Sequence, residues 1–390
     1  MQMNRKDFLK NAIGTGVMIS MPTWLLNCAS GQRLAGSHNT DPLLNARENG
    51  LDTPILSAIN VGITAPNPHN TQAWKFKILN DTEALLYVDE NRILPETDPP
   101  ARQIHIGQGT FLEHLAIGAK EMGYEADIQI LPEGEYPLSE IGKKPSSKIC
   151  LRKSSSSSGD VLYRYISTRQ TDRTVYDGPI INDHEFEQIK SLVGNMHSKL
   201  GIINTEGEMS ELKPIFYKAM EIECLNHHTY DESRIWFRYN DSEIYEKRDG
   251  ISFRTSGMGW FKRKLAESFV GKSESAWHEK SNINAYLDSF NSAVNSSRAI
   301  VYWETQTNKQ ADWIKTGRDY ARFQLAITSM GLRMHPMSQV LQEYKEMNQL
   351  SNEFNGKLSA KGRVQMLVRL GRGSQDFYAP RRDVRDMIIA

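Results

Sequence analysis

Apolar residues recur at helical spacing through two long stretches, 107–123 and 317–331, each bounded by glycine, and this periodicity predicts one long amphipathic helix in each half of the chain. Aligned on Gly107 and Gly317, both stretches run to a Leu-Ala-Ile, at Leu115-Ala116-Ile117 and Leu325-Ala326-Ile327, and then to a Met-Gly. Helix-end glycine accounts for the closing match, and the rest suggests an internal repeat. Runs rich in β-branched and aromatic residues flank these helices. They predict a hairpin at 74–79 and 85–88, a strand at 128–131 after the first helix, and strands at 299–303 and 364–370 around the second. Asn182, followed by Glu185, signals the N-terminus of a helix over 184–193. Without regular strand–helix alternation, the elements predict an α+β fold rather than a doubly wound sheet.

The serine run at 154–158, followed by Gly159, reads as a surface connection and divides the chain into a first half at 41–150 and a second at 160–390. With 39% apolar and 24% charged residues in 390, the chain can bury a sizeable core. Basic and acidic residues balance at 47 each, which argues against nucleic acid as a partner. Cys28, Cys150 and Cys224 are far apart, so neither a disulfide framework nor a thiolate metal site is indicated. His227-His228 lacks the spaced third ligand of a metal site, and no metal is assigned. No phosphate-binding glycine motif follows a strand, and no Gly-x-Ser-x-Gly elbow supports a serine hydrolase.

The first 28 residues differ from the rest. A basic head, Asn4-Arg5-Lys6-Asp7-Phe8-Leu9-Lys10, precedes an apolar stretch over 12–26 that is short for a membrane span, as in an export signal. The head resembles a twin-arginine signal with Arg5-Lys6 in place of the arginine pair. Leu25-Leu26-Asn27-Cys28 resembles a lipobox, which would tether the chain to a membrane through a lipidated Cys28. The expectation is a periplasmic or membrane-anchored protein; an N-terminal helix packed on the domain is the alternative.

Two segments carry candidate chemistry. Ala65-Pro66-Asn67-Pro68-His69-Asn70-Thr71-Gln72-Ala73-Trp74 sets two prolines and two amides against an aromatic strand, leaving the Asn70 and Gln72 amides to bind a planar polar group or merely to shape a tight connection. In Arg169-Gln170-Thr171-Asp172-Arg173 an extended backbone would direct two guanidiniums and a hydroxyl to one face, suited to a phosphate, or would form a solvated basic turn. The aromatic-rich segment at about 226–277, with Trp236, Phe237, Tyr239, Phe253, Trp260 and Phe261, reads either as a lid over a flat ring or as a satellite core. Arg234, Arg238 and Asp249-Gly250 would line the pocket beneath the lid.

The first segment resembles the Pro-Ser-x-x-Asn-x-Gln-Pro-Trp loop of the flavin-dependent nitroreductase family, with Asn67 for the serine and Ala73 for the second proline. The second resembles that family's Arg-x-Ser-x-Arg/Lys motif, Gly331-Leu332-Arg333-Met334-His335-Pro336-Met337-Ser338 its loop after the central helix, and Ala379-Pro380-Arg381-Arg382 its terminal basic motif. The resemblance spans roughly residues 50–385 and is strongest to the dormancy-associated, Acg-like branch. It implies a nitroreductase-like fold built from two diverged, fused halves, a pseudo-dimer that need not dimerise, with one FMN per chain. Arg169, Thr171, Arg173, Arg381 and Arg382 would hold its phosphate and ring edge. Asn67, His69, Asn70, Gln72, Pro336, Met337 and Ser338 would contact the ring, with Ser338 facing N5. It further implies electron transfer from a small-molecule donor such as NAD(P)H to an electron-poor acceptor through N5, with no catalytic side chain assigned. Flavin storage without turnover is the alternative.

Overall fold

The computed structural model describes residues 40–155, 158–258, 263–264, 266–267, 271–358 and 360–390. The chain divides into two compact units, 1–34 and 35–390, and all described residues belong to the second. The export and lipidation signals, Trp260 and Phe261 lie outside the described residues, among which no helix is long and apolar enough to cross a membrane.

Two helices, α1 (Pro42–Glu48) and α2 (Pro54–Gly62), lead into the loop at 65–72 and the hairpin β1 (Trp74–Asn80) and β2 (Glu83–Val88). The expected hairpin is thus present, in register Trp74↔Val88 and Phe76↔Leu86. The first long helix, α3, runs Arg102–Glu121, starting five residues before Gly107, and is followed by β3 (Tyr124–Ile130) and β4 (Ser147–Lys153). β4 has little apolar alternation at its ends and was not legible. The sheet order is β11-β1-β2-β4-β3, where β11 (Ile388–Ile389) is the C-terminus returning to pair in parallel with Phe76 and Lys77. Trp74 and Phe76 are buried on either side of Phe111 of α3, at 5.3 and 5.1 Å between ring centroids. Each such ring contributes about 1.5–3 kcal/mol by leaving water.

The second half begins with α4 (Asp183–Val193), capped as its sequence predicts by reciprocal bonds between Asn182 and Glu185. Next come β5 (Lys199–Ile203), α5 (Glu206–Leu225) and the lid elements α6 (His227–Ile235), β6 (Phe237–Arg238), α7 (Asp241–Lys247) and β7 (Ile251–Ser252). The chain continues through α8 (Glu274–Trp277), α9 (Lys280–Asn295), β8 (Ala299–Thr305), α10 (Gln310–Ser329), β9 (Arg333–Pro336), α11 (Asn348–Lys357) and β10 (Arg363–Gly371). The second sheet is β5-β8-β10-β9, with β8 and β10 apolar on both faces because α10 covers one and α5 with α9 the other.

The long helices α3 and α10 cross where Gly109 meets Gly317. A Cβ on Gly109 would lie 2.9 Å from the Gly317 Cα and would collide with the Ile314 carbonyl, so only glycine allows this approach. The crossing pairs Gly109, not Gly107, with Gly317, two residues away from the register that the Leu-Ala-Ile match suggests. Gly107 instead accepts the Trp74 indole N–H at 3.2 Å. This crossing carries the loop at 65–72 to the side of Thr171 and Arg173.

Candidate functional site

The loop opens on two prolines and then turns through three left-handed non-glycine residues, His69 (φ 47°), Asn70 (φ 53°) and Gln72 (φ 52°). Each such conformation costs on the order of 1–3 kcal/mol unless its surroundings enforce it. Here they do: Asn67 Oδ1 accepts from the Gln72 N–H at 2.8 Å, and Asn70 Oδ1 accepts from Arg381 at 2.8 Å. Gln72 Oε1 accepts from the Arg382 N–H at 2.8 Å, while its Nε2 donates to the Arg248 carbonyl at 2.8 Å. The expectation that the Asn70 and Gln72 amides stay free for a ligand is therefore corrected. They clasp the C-terminal segment and the lid, whose Gly250 N–H also donates to the Asn70 carbonyl at 3.2 Å.

The arginine motif divides its work. Arg169 is buried and donates to Gln324 Oε1 and the Thr64 carbonyl, both at 3.0 Å. Arg381, equally buried, donates to the carbonyls of Ile63 (2.9 Å), Thr64 (3.3 Å) and Ala65 (3.3 Å). Burial lowers Arg169 to about 10, with the Arg333 guanidinium adding to the effect. Burial also holds Arg381 well below its ordinary value, and Arg169 contributes. Asp172 turns away, accepting from Thr174 and the Gln375 N–H. Arg382 is elsewhere, near Asp89 at 3.7 Å and bonded to the Asp386 carbonyl. The structure thus gathers Arg169, Arg333 and Arg381 but does not add Arg382 to them.

Between this cluster and the lid lies a cavity of about 890 Å³, large enough for a cofactor with part of a substrate. Asn67, His69, Thr171, Arg173, Pro336 and Ser338 line it, whereas Asn70, Gln72, Met337, Arg169, Arg381 and Arg382 do not. The Met337 N–H is used on the Leu367 carbonyl at 2.9 Å, and Ser338, next in the chain, is the residue that meets the cavity. Arg173 donates to the Thr255 carbonyl at 3.1 Å, and no carboxylate among the described residues forms a salt bridge with it or with Arg381. Burial lowers its pKa and the neighbouring Asp172 acts the other way, so it is a half-buried cation with no carboxylate at salt-bridge distance among the described residues. Its charge, after burial itself, helps hold His69 at about 4 and His335 well below its usual value, so both rings are neutral at pH 7. Arg369 donates to His335 Nδ1 at 3.2 Å, which puts the neutral ring's proton on Nε2. Both histidines belong to the cavity wall, His69 as expected of a ring contact, whereas His105, bonded to the Ala101 carbonyl and the Tyr136 hydroxyl, is structural.

Further wall residues were missed. Gln103, Ile106, Gly107 and Thr110 of α3 recur at helical spacing and form one continuous stripe of the wall, a pattern visible in the sequence once the helix start is moved to Arg102. Tyr286 and Asp288 of α9, Tyr320 of α10, and Glu223 with Gln342 are further polar lining that no local motif signalled.

The lid contributes rings rather than charges. Phe237 packs on Phe253 at 4.7 Å and on Trp277 at 5.2 Å, and Trp277 on Tyr230 at 5.1 Å; all four also line the cavity, so both the lid and the satellite-core readings hold. Arg234, Arg238 and Asp249-Gly250 do not line it, contrary to expectation. Arg234 pairs with Asp231, while Asp249 accepts from Arg238 at 2.8 Å and from Arg92 of the first half at 2.9 Å, and both cations lie over Trp236. Arg92 thereby fastens the lid to the first half, while Arg234 and Arg238 pair within the lid. His227 stacks on His278 at 4.2 Å and meets Glu274, and among the described residues no cluster of three or more metal-ligating side chains could hold a metal ion.

No family model matches the chain. It is 32% identical over 84 residues to a protein of Mycobacterium tuberculosis provisionally named NAD(P)H nitroreductase acg, which covers 22% of this chain and 25% of that one. The chain thus spans about a quarter of the length of the first relatives it matches. A second M. tuberculosis protein with a provisional NAD(P)H nitroreductase name is 22% identical over 322 residues, 81% of this chain and 84% of its own. Among solved structures, the FMN-dependent nitroreductase NfnB of Mycobacterium smegmatis, in complex with NADPH, aligns with a TM-score of 0.34 and 12% identity over 57% of this chain and 94% of its own. A nitroreductase of Anabaena variabilis aligns with a TM-score of 0.36 and 12% identity over 75% of this chain and 69% of its own. The architecture and site define an α+β protein with a cationic cavity, and the sequence relatives it is similar to carry nitroreductase names.

Proposed function

We propose that the chain is an exported, FMN-binding oxidoreductase of the nitroreductase type, with one flavin held where the two halves meet. The observation that carries this reading is Arg173, a cation in a ring-lined cavity with no salt-bridge partner among the described residues, with the guanidiniums of Arg169 and Arg381 converging on Thr64 behind the wall. A buried surplus of positive charge is stabilised by an anion, and an FMN phosphate supplies one. The cavity lining fits the cofactor: Arg173 and Thr171 would meet its anionic and polar groups, while Arg169 and Arg381, outside the lining, would act through the positive charge they place behind it. Ser338 and the neutral His69 and His335 would border its reacting face.

When bound, FMN supplies hydride and single-electron chemistry that no side chain can. The protein's part is to bind, to orient and to exclude water. Arg173 favours negative charge in the cavity and is held to the lid through the Thr255 carbonyl, the lid rings cover the cavity, and His69 and His335, neutral across physiological pH, neither add nor withdraw charge. The donor would be NAD(P)H or an equivalent, and the acceptor an electron-poor aromatic or quinone. The two halves would be a fused pseudo-dimer, supported by the α3–α10 crossing and one sheet in each half. Export rests on the basic head and apolar stretch of residues 4–26.

Retention of flavin without turnover is favoured by a separate observation, the fastening of the lid through Asp249 to Arg92 and through Gly250 to Asn70. The two readings part in one experiment. Flavin that bleaches anaerobically with NADPH and recovers with a quinone supports the oxidoreductase; bound flavin inert to NADPH, NADH and dithionite-reduced mediators supports retention alone.

A further inference from the structure

Around Glu223 the cavity wall carries carboxyls and rings, and Arg173 reaches the same lid through its bond to the Thr255 carbonyl. Glu223, on the last turns of α5, is 5% exposed and lines the cavity, with one carboxyl oxygen, Oε2, accepting from Gln342 at 2.8 Å. Among the described residues no hydrogen bond reaches its Oε1 and no cation pairs with it. Asp288 of α9, exposed and also without a salt bridge among the described residues, lines the same cavity. Five rings belong to the same wall, those of Tyr230, Phe237, Phe253, Trp277 and Tyr286. Glu223 is within electrostatic reach of Tyr230 and Tyr286, and raises both hydroxyls together with their burial.

A desolvated carboxyl without a cation, surrounded by aromatic faces, has the composition of a site for an organic cation. The negative faces of the rings attract positive charge, and the Glu223 carboxyl, pushed up to about 7 by burial, ionises to neutralise a cation where water is excluded. The cavity wall thus carries both signs, Arg173 and Glu223, each within electrostatic reach of Tyr286. We propose that the wall around Glu223 is a substrate subsite for a positively charged nitrogen, a quaternary or alkylated ammonium or a ring nitrogen bearing a cation. This deepens the oxidoreductase reading and rests on it for what happens to the bound molecule: the acceptor would be an electron-poor compound carrying such a nitrogen. The binding itself depends only on this chain's residues.

The test is calorimetric titration of the full chain, as purified and with its flavin content recorded, using benzyltrimethylammonium against benzyl alcohol, which presents the same ring without the charge. The cation should bind at least about tenfold more tightly than the alcohol, within the range for desolvated cation–π and ion-pair contacts. Glu223→Gln should remove most of that preference and leave the alcohol's affinity unchanged. Asp288→Asn, at an exposed position that tolerates the change, should reduce the preference by a factor of about two to three. Equal affinities in the wild type would overturn the proposal whatever the variants do. So would a preference that survives Glu223→Gln. A chain that prefers the cation but carries no flavin, even after FMN is supplied, would refute the redox reading and leave the subsite standing.

Discussion

Arg169 and Arg381, 212 positions apart, donate to the same oxygen, the Thr64 carbonyl, at 3.0 and 3.3 Å. Two like charges brought together by one neutral acceptor repel each other, and the arrangement is stabilised when an anion joins them. It also couples the N-terminal loop, the start of the second half and the C-terminal segment into one site.

Arg173 and Arg381 should fail differently on truncation. Arg173→Ala removes a cavity-lining cation with one backbone bond, so the fold should survive while the dissociation constant for FMN rises about tenfold to a hundredfold, the range for a charge-assisted contact. Arg381→Ala leaves the Ile63 and Ala65 carbonyls without this donor and should also lower stability by about 2–4 kcal/mol, measured by urea denaturation. Equal loss of stability in both variants would contradict the division.

The helix crossing predicts a large effect from one methyl group. Gly317→Ala drives a Cβ into the Ile106 carbonyl and to 2.9 Å from the Gly109 Cα, both backbone, and should cost about 2–3 kcal/mol or more. Gly207→Ala, in α5 where a Cβ meets nothing within 4 Å, should instead stabilise the protein by about 0.5–1 kcal/mol. Urea midpoints of the two variants should move in opposite directions.

The pattern of the sequence revealed the α+β class, the hairpin and the second central helix because those segments alternate or repeat cleanly. It misled on the start of α3, since Ala101 turns through φ 57° ahead of Arg102 and no N-cap side chain marks the boundary. The residues of the arginine and proline motifs were legible because their chemistry is local. Glu223, Tyr286 and Gln342 were not, because only tertiary packing carries α5, α9 and the segment after β9 to one cavity. Nor could the sequence show that Asn70 and Gln72 are engaged by partners some 180 to 310 positions away.

Fastening of the lid depends on one carboxylate. Asp249→Asn weakens its links to Arg92 and Arg238, two contacts on mostly buried side chains, and should speed both FMN release and proteolysis within 236–258 several-fold while leaving the thermal midpoint nearly unchanged. A lowered midpoint with unaltered local cleavage would show that Asp249 supports the global fold instead.

Buried Asp98 predicts a pH dependence of stability. Burial raises its pKa from 3.8 to about 7, so the folded state holds the proton more tightly than the unfolded state does. Its contribution is therefore fully present below pH 3.8 and is lost as the pH rises towards 7. Asp98→Asn does not titrate, so the stability of the variant relative to wild type should increase from pH 4 to pH 7, followed by urea midpoints. His105, held at about 4 by burial, acts in the opposite sense in both proteins and cancels in the difference. A difference that is flat across this range would contradict the assignment.

Central to the account is a single FMN gripped by guanidiniums at the junction of the two halves. Quantifying the FMN released by denaturing the purified chain, after saturation with FMN and removal of the excess, tests it most directly. The account predicts one equivalent per wild-type chain and a small fraction of that in the Arg169→Ala/Arg173→Ala double variant. No flavin in the wild type, or a full equivalent in the double variant, would contradict it.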